Sequence, residues 1–263
     1  MTRLSKAFGG LRAVQDLSFS LSPGEILGLV GPNGSGKTTV FNLIAGALRP
    51  DAGDVFLSGR RITTSPPSRR SSLGIARTFQ LVKALAGLTV LENVLVAAMY
   101  GRGRPARVEA LAGVPAGARP EPRAEALRLL ALIGLTTWAE VPARLLTLAQ
   151  RRQVEIARAL ATRPRLLLLD EPLAGLNPTE VGAMLALFRK IHAEGMTLAL
   201  VEHNVPAVRA LCGRLIVLNS GRLIAEGRPE EALAQPAVIE VYLGHAAGGA
   251  HGPGRTAPGP IGS

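Results

Sequence analysis

Cysteine, aromatic residues and long apolar runs are what this 263-residue chain has least of. Its one cysteine, Cys212, excludes an internal disulfide and a cysteine-built metal site. It lies in a helical, apolar stretch and reads as a buried, inert thiol. Aromatic residues make up 3%, too few to interleave with basic residues as stacking platforms for single-stranded nucleic acid. No uninterrupted apolar run approaches the ~18 residues that a membrane span needs. The best candidate, Leu88–Tyr100, is broken by Glu92 and Asn93. No basic-then-apolar signal segment opens the chain, so a cytoplasmic location is the default.

What is present is enough chain for one large or two small domains with a proper core. Hydrophobic residues make up 47%, in the globular range, and the net charge is +11, carried almost wholly by arginine. Such a charge suits nucleic acid, phosphate ligands or a membrane face. Here the arginines are scattered, so overall composition explains it equally well.

The pattern along the chain alternates strands with helices, which implies an α/β fold. Ala13–Leu21 alternates as a half-buried antiparallel strand, and Glu25–Val30 is a short buried strand entering a glycine-rich turn. A helix over Lys37–Ala47 follows. GDVFLSG and GIARTFQ read as short strands divided by an arginine-rich loop. From Thr89 to Ala161 the pattern is helical, interrupted over 101–122 by a Pro-, Gly- and Arg-rich surface insert. Arg165–Asp170 has the continuous apolarity of a parallel strand buried on both faces. A helix over Pro178–Ala193 leads to the strand TLALVEH, and LIVLNSGRLIAEG reads as a hairpin around Ser220-Gly221. The tail from 245 to 263 has no core-forming pattern and is expected to be disordered.

Gly31–Thr39 reads GPNGSGKTT, which fits G-x-x-x-x-G-K-[ST] between a strand and a helix, the context a phosphate loop requires. Gly31, Pro32, Asn33, Gly34, Ser35 and Gly36 curl the backbone so that successive N–H groups face phosphate oxygens. The helix N-terminus adds partial positive charge. Lys37 is placed to reach the β- and γ-phosphates, and the Thr38 hydroxyl, followed by Thr39, to hold Mg²⁺. Asp170 ends its strand at the crevice where α/β sheets bind ligands and can hold Mg²⁺ through water. Glu171, next along, can orient and polarise an attacking water. His203 ends a neighbouring strand. A lone histidine there is more often a surface residue, yet the same crevice would let it contact a γ-phosphate. Gln80 also follows a short strand, where an amide can ligate Mg²⁺ or position water.

This order of motifs resembles the ATP-binding cassette (ABC) family over Thr2–Gly244. The resemblance implies a P-loop NTPase fold with a mainly parallel sheet core, an N-terminal antiparallel β subdomain and an inserted helical subdomain over about 81–163. The nucleotide-binding domain would span 1–244. ATP and Mg²⁺ are the implied cofactors, and ATP hydrolysis coupled to transport the implied activity. Phe8 takes the position of the aromatic that stacks on adenine, with a core or surface Phe as the plain alternative. Gln80 falls in the loop that senses the γ-phosphate and meets the membrane subunits. AGLN, Ala174–Asn177, replaces the loop that crosses the dimer interface, with Asn177 where many relatives have aspartate.

GPNGSGKTTVFNLIAG, GIARTFQ, LTVLENVLVA, EIARAL, DEPLAGLNP, VEHN and the ending YLG resemble ATP-binding subunits of Liv-type branched-chain amino-acid importers. The long helical block favours the G-type subunit over its shorter F-type partner. The resemblance implies a second cassette as partner, an asymmetric pair being expected over a homodimer. It also implies two transmembrane permease subunits and, indirectly, a solute-binding protein. The chain would sit peripherally on the cytoplasmic face of the membrane. No nucleic-acid partner is expected. A soluble ABC ATPase acting on nucleic acid or the ribosome is the alternative, but such proteins carry two cassettes or a long coiled-coil insertion.

Two departures from the family stand out. MTRLSKAFGG cuts the usual first strand short, which would weaken that edge. The signature that meets the partner's ATP, commonly L-S-G-G-Q, reads Leu146, Thr147, Leu148, Ala149 and Gln150. The segment starts a helix, so its N–H groups can face a phosphate. Thr147 can cap or donate as serine would. Ala149 adds a Cβ where glycine permits closest approach.

Overall fold

A computed structural model describes residues 1–78, 85–100 and 122–248. Gln80, the insert 101–122 apart from Pro122, and the tail from residue 249 lie outside the described residues. In chain order the elements begin with β1 (Thr2–Phe8), β2 (Leu11–Leu17), β3 (Ile26–Val30), α1 (Lys37–Ala45), β4 (Ala52–Asp54), β5 (Phe56–Leu57) and β6 (Arg60–Arg61). Next come α2 (Pro67–Leu73), β7 (Ile75–Arg77), α3 (Val90–Tyr100), α4 (Pro122–Leu132) and α5 (Leu148–Ala161). The chain continues through β8 (Leu166–Asp170), α6 (Pro178–Ala193), β9 (Thr197–Val201) and α7 (Val205–Leu211). It closes with β10 (Arg214–Asn219), β11 (Arg222–Gly227), α8 (Pro229–Leu233) and α9 (Pro236–Gly248).

The main sheet has the order β11-β10-β3-β9-β8-β7; all its pairs are parallel except the β10–β11 hairpin. A smaller antiparallel sheet has the order β2-β1-β4. Helices α3, α4 and α5 pack on one another between β7 and β8. These are the α/β core, the antiparallel sheet and the inserted helical block expected from the sequence.

Period-2 side-chain alternation divides the main sheet between two cores. Leu167, Leu169, Leu198, Leu200, Leu215 and Val217 pack with the helical block, α6 and α7. Leu168, Ala199, Val201, Ile216 and Leu218 pack with α1 and with Leu4, Val14 and Leu17 of the antiparallel sheet. Each such leucine or valine, fully buried, contributes about 2 kcal/mol relative to exposure. Because both faces are covered, β8 and β9 read as unbroken apolar runs. Cys212 follows α7 and is buried, and burial pushes its thiol up to about 12, so it is the inert group expected.

Several boundaries differ from the sequence reading. The strand expected over Ala13–Leu21 runs over Leu11–Leu17 and stops after Asp16 takes a φ of 48°, which breaks the alternation. The arginine-rich loop contains α2, with Pro67 at its first turn and Gly74 as its left-handed C-cap, the asymmetry that marks a short helix. The helix expected over Lys37–Ala47 ends at Ala45, because Gly46 is left-handed. β9 ends at Val201, leaving His203 on the loop beyond. β1 is the central strand of its sheet rather than an edge, paired with β2 on one side and β4 on the other. α9 continues past residue 244 to Gly248.

Arg70 on α2 is 1% exposed and anchors the helix that carries the glycine-rich turn. Its Nη1 donates to the carbonyls of Leu43 and Ile44, its Nη2 to Thr63 and its Nε to Ser65. A cation there complements the carbonyl end of α1. Arg70→Met strands several buried carbonyls, each costing about 1–3 kcal/mol. We expect the urea midpoint to fall by the equivalent of about 3 kcal/mol or more, with an unchanged slope. A midpoint within error of the parent would contradict this.

Candidate active site

β3 delivers the chain into Gly31–Thr39 with the glycines in conformations that other residues rarely adopt. Gly31 has φ 148° and Gly36 φ 102°. A Cβ on Gly31 would sit 2.1 Å from the Leu218 carbonyl, and one on Gly36 2.3 Å from the Ala13 carbonyl. The turn is therefore pressed between β10 and β2 and cannot take side chains at these two points. Gly221 N–H, in the β10–β11 turn, donates to the Ser35 carbonyl at 3.0 Å and ties the hairpin to the loop. The first bond of α1 runs from Val40 N–H to the Gly36 carbonyl. The N–H groups of Lys37, Thr38 and Thr39 lie ahead of it, where a helix is electropositive.

The Lys37 ammonium crosses the loop, donating to the carbonyls of Gly31 and Pro32 at 2.8 Å each. Burial lowers its pKa, while the carboxylates of Glu171 and Asp170 work in the opposite direction. The loop opens on a cavity of about 600 Å³ whose walls include Phe8, Arg12, Gly34, Thr38 and Glu171. Phe8 is 46% exposed on β1, and the Lys6 ammonium lies 5.6 Å from its ring centre. An aromatic face, a ring of backbone N–H groups and a carboxylate thus share one space.

Parallel register brings the other strand ends to the same edge. Asp170 is paired with Val201, and Leu29 with Val201 on the other side of β9. Asp170 shares the sheet face of Leu168, which packs toward α1. It is 4% exposed, and Oδ2 accepts from Arg77 Nη2 at 2.6 Å. Arg77 Nη1 donates to Asn42 Oδ1 on α1 at 2.5 Å. Glu171, one residue on, has φ 46°; its N–H donates to the Val201 carbonyl at 3.0 Å. Its own carbonyl accepts from Arg152 Nη1 at 2.6 Å. Backbone grips on both sides hold this residue in a left-handed conformation that costs of order 1 kcal/mol.

Arg152 lies on α5 and also donates to the Ala174 carbonyl at 2.6 Å, so the start of α5 is fastened to the loop after β8. α5 opens with a capping box. Thr147 Oγ1 accepts from Gln150 N–H at 3.3 Å, and Gln150 Oε1 accepts from Thr147 N–H at 3.0 Å. Thr147 caps as expected, but its own N–H is engaged. Among the described residues, no hydrogen bond engages the N–H groups of Leu148 and Ala149, which therefore head the helix as donors. Asn177 and Glu180 form a second capping box at the start of α6. Glu202 is buried and accepts from the N–H groups of Leu173 at 2.8 Å and His203 at 3.3 Å. Burial raises its pKa. His203 is exposed beside it and does not line the cavity.

The structure thus brings together Phe8, residues 33, 34 and 36–39, and Glu171 around one cavity, with Asp170 beside them. Residues 147–150 lie apart from this cavity, at the start of α5. Gln80 lies outside the described residues. Reading the sequence missed Arg12, Arg77, Asn42, Arg152 and Glu202. Two of these carried a signal. Arg77 stands in a short apolar strand, and Arg152 shares a helix stripe with Ile156 and Leu160. A charge in an apolar pattern needs a partner.

Residues 14–174 match the family model for the ABC transporter, and residues 222–248 that for the branched-chain amino acid ATP-binding cassette transporter. The chain is 39% identical to the high-affinity branched-chain amino acid transport ATP-binding protein BraF of Pseudomonas aeruginosa, covering 92% of this chain and 96% of that one. It is 38% identical to LivG, of the same description, from Escherichia coli, with the same coverage. A solved ATP-binding cassette of an ABC transporter in its ADP conformation superposes with a TM-score of 0.80 at 33% identity, covering 92% and 97% of the two chains. A dimeric ATP-binding cassette in a post-hydrolysis state bound to ADP and Pi superposes with a TM-score of 0.72 at 26% identity, covering 87% and 97%.

Gly36→Ala tests the cavity. The added Cβ meets the Ala13 carbonyl at a φ that alanine rarely adopts. We expect affinity for ATP, measured by calorimetry, to fall by about tenfold or more, since about 1.4 kcal/mol of strain suffices. Undiminished affinity would show that the nucleotide lies elsewhere.

Proposed function

Because the chain belongs to the ABC transporter family, whose ATP-binding domains are ATPases coupled to transport, we propose that it is the ATP-hydrolysing subunit of a branched-chain amino-acid importer. The observation that carries the site assignment is the cavity shared by Phe8, the Gly31–Thr39 loop and Glu171. In this reading Phe8 stacks on the adenine. The N–H groups of Gly34 and 36–39, with the Lys37 ammonium, take the phosphates, a fixed set of donors in a partly water-excluded site. Lys37 leaves its loop carbonyls for phosphate oxygens, a stronger, charge-assisted contact.

The donors beside the cavity suit Mg²⁺. They are hard oxygens, the Thr38 hydroxyl and the Asp170 carboxylate, and the described residues contain no cluster of three or more acidic, His or Cys side chains that would cage a metal alone. Mg²⁺ favours such sparse sites, shared with substrate phosphates and water. When bound it neutralises phosphate charge. Gln80 is assigned to the same shell. Glu171, held by Val201 and Arg152, orients the attacking water and takes its proton. His203, exposed on the loop past β9 and outside the cavity wall of this chain, is assigned as the γ-phosphate contact on its place after that strand.

We infer that two cassettes pair head to tail; the dimeric relative supports pairing as such. Leu148 and Ala149 N–H groups, with Thr147 and Gln150, then meet the partner's ATP. The names of the relatives support branched-chain amino acids as the transported class. A second cassette of the shorter F type is the proposed partner, with permease subunits docking near Gln80 and a solute-binding protein delivering the substrate. Among the described residues, no helix is long and apolar enough to cross a membrane. Peripheral attachment at the cytoplasmic face through those permeases follows from this reading.

Glu171→Gln removes the base and keeps the shape. ATP binding should persist, while turnover in the assembled transporter falls by about 100-fold or more. Parental turnover in that variant would sink the general-base assignment.

A further inference from the structure

We propose that Arg77 is a positioning residue for the divalent cation of ATP: its guanidinium fixes the Asp170 carboxylate in the orientation that receives the metal. The proposal rests on the reading of Asp170 as a Mg²⁺ ligand. Three elements meet at this side chain. Arg77 ends β7, Asp170 ends β8, and Asn42 lies on α1, the helix that opens with Lys37 and Thr38. In the β7–β8 register Arg77 pairs with Leu168, two residues before Asp170. Both side chains therefore leave the sheet on the face toward α1.

The contacts are short and dry. Nη2 reaches Asp170 Oδ2 at 2.6 Å and Nη1 reaches Asn42 Oδ1 at 2.5 Å, with the side chains of Arg77 and Asp170 only 9% and 5% exposed. A planar guanidinium can span two acceptors at a fixed angle, which a lysine ammonium cannot do. The Asp170 N–H adds a weaker link to Thr78 Oγ1 at 3.4 Å, next to Arg77 on the chain. One carboxylate oxygen is thus locked to the frame of the phosphate loop through α1. Partners of this kind, hydrogen-bonded to a ligating carboxylate, typically change metal affinity by about 10–100-fold when removed.

Charge and orientation act in opposite directions here, which makes the proposal decidable. Besides Arg77, the Lys37 ammonium acts on Asp170, and Glu171 acts on the same ammonium. Removing the arginine's charge would by itself strengthen attraction for a cation. Loss of orientation would weaken it. The proposal holds that orientation wins.

The test uses the full chain and trinitrophenyl-ATP fluorescence, first in EDTA and then across a Mg²⁺ titration. Arg77→Met and Arg77→Lys should leave affinity in EDTA unchanged and raise the Mg²⁺ concentration for half-maximal enhancement by about tenfold or more. Asn42→Ala, which spares the ion pair, should shift it in the same direction by a smaller factor. An unchanged or lowered Mg²⁺ requirement in the Arg77 variants would overturn the proposal. If both fail to bind nucleotide even in EDTA, Asn42→Ala decides: no shift there overturns it. Asp170→Asn separates the two layers. If that variant keeps the Mg²⁺ enhancement, the metal reading of Asp170 falls, and the role of Arg77 with it. If it loses the enhancement while the Arg77 variants behave as the parent, only the Arg77 proposal falls.

Discussion

The turn between β3 and α1 exists because two carbonyls press on it from opposite sides. Leu218 of β10 faces Gly31 and Ala13 of β2 faces Gly36, each so close that a side chain cannot be placed there. That squeeze fixes the curl of the loop, and the curl aims its N–H groups into the cavity. It also joins the two sheets. β10 belongs to the main sheet and β2 to the antiparallel one, so the glycine-rich turn is shaped by both and lies where they meet. Ser35 and Gly221 bridge the same junction with a backbone hydrogen bond. The aromatic face of Phe8 reaches the cavity because β1 is paired with β2 in that antiparallel sheet.

The rest of the chemistry follows from which face of the main sheet a residue takes. Leu167 and Leu169 serve one core and Leu168 the other. Asp170 inherits the face of Leu168, beside α1 and the loop, and its carboxylate is therefore delivered to the site by strand alternation alone. Glu171 cannot continue the strand there; it turns left-handed, with Val201 and Arg152 holding its backbone. Arg152 makes the second junction of the molecule. It connects the start of α5, where a partner's nucleotide would lie, to the loop that presents Glu171. Neither junction is a salt bridge on the surface, where such pairs contribute little. The first is a steric fit with a backbone hydrogen bond from Gly221 to Ser35, and the second is a pair of part-buried hydrogen bonds from the Arg152 guanidinium to carbonyls, which cost more to break than a surface pair.

The sequence revealed the parts whose physics is local. Glycine spacing in Gly31–Thr39, the apolar runs of β3, β8 and β9, and the Pro178–Ala193 helix were legible because period, caps and turn residues act within a few positions. So was Thr147 as a cap, since its partner Gln150 lies three residues on. The misses were of two kinds. The helix α2 escaped because its arginines suggested a solvated loop, although Pro67 and Gly74 bracketed it; its Arg70 is among the most buried side chains of the chain. Arg77, Asn42 and Arg152 act through partners 19 to 93 residues away along the chain, and Glu202 reaches Leu173, 29 residues back, besides its neighbour His203. No window of sequence contains such a pair. His203 lies past the end of β9, where the apolar run stops, and outside the cavity wall.

The central claim is that ATP lies in the cavity bounded by Phe8 and the curled loop, held by backbone N–H groups. Amide hydrogen exchange of the full chain, with and without saturating ATP, tests it most directly. The account predicts new protection at Gly34 and residues 36–39, whose N–H groups would then be bonded to phosphate. Saturating ATP that left those amides exchanging as before, while protecting another surface, would contradict it.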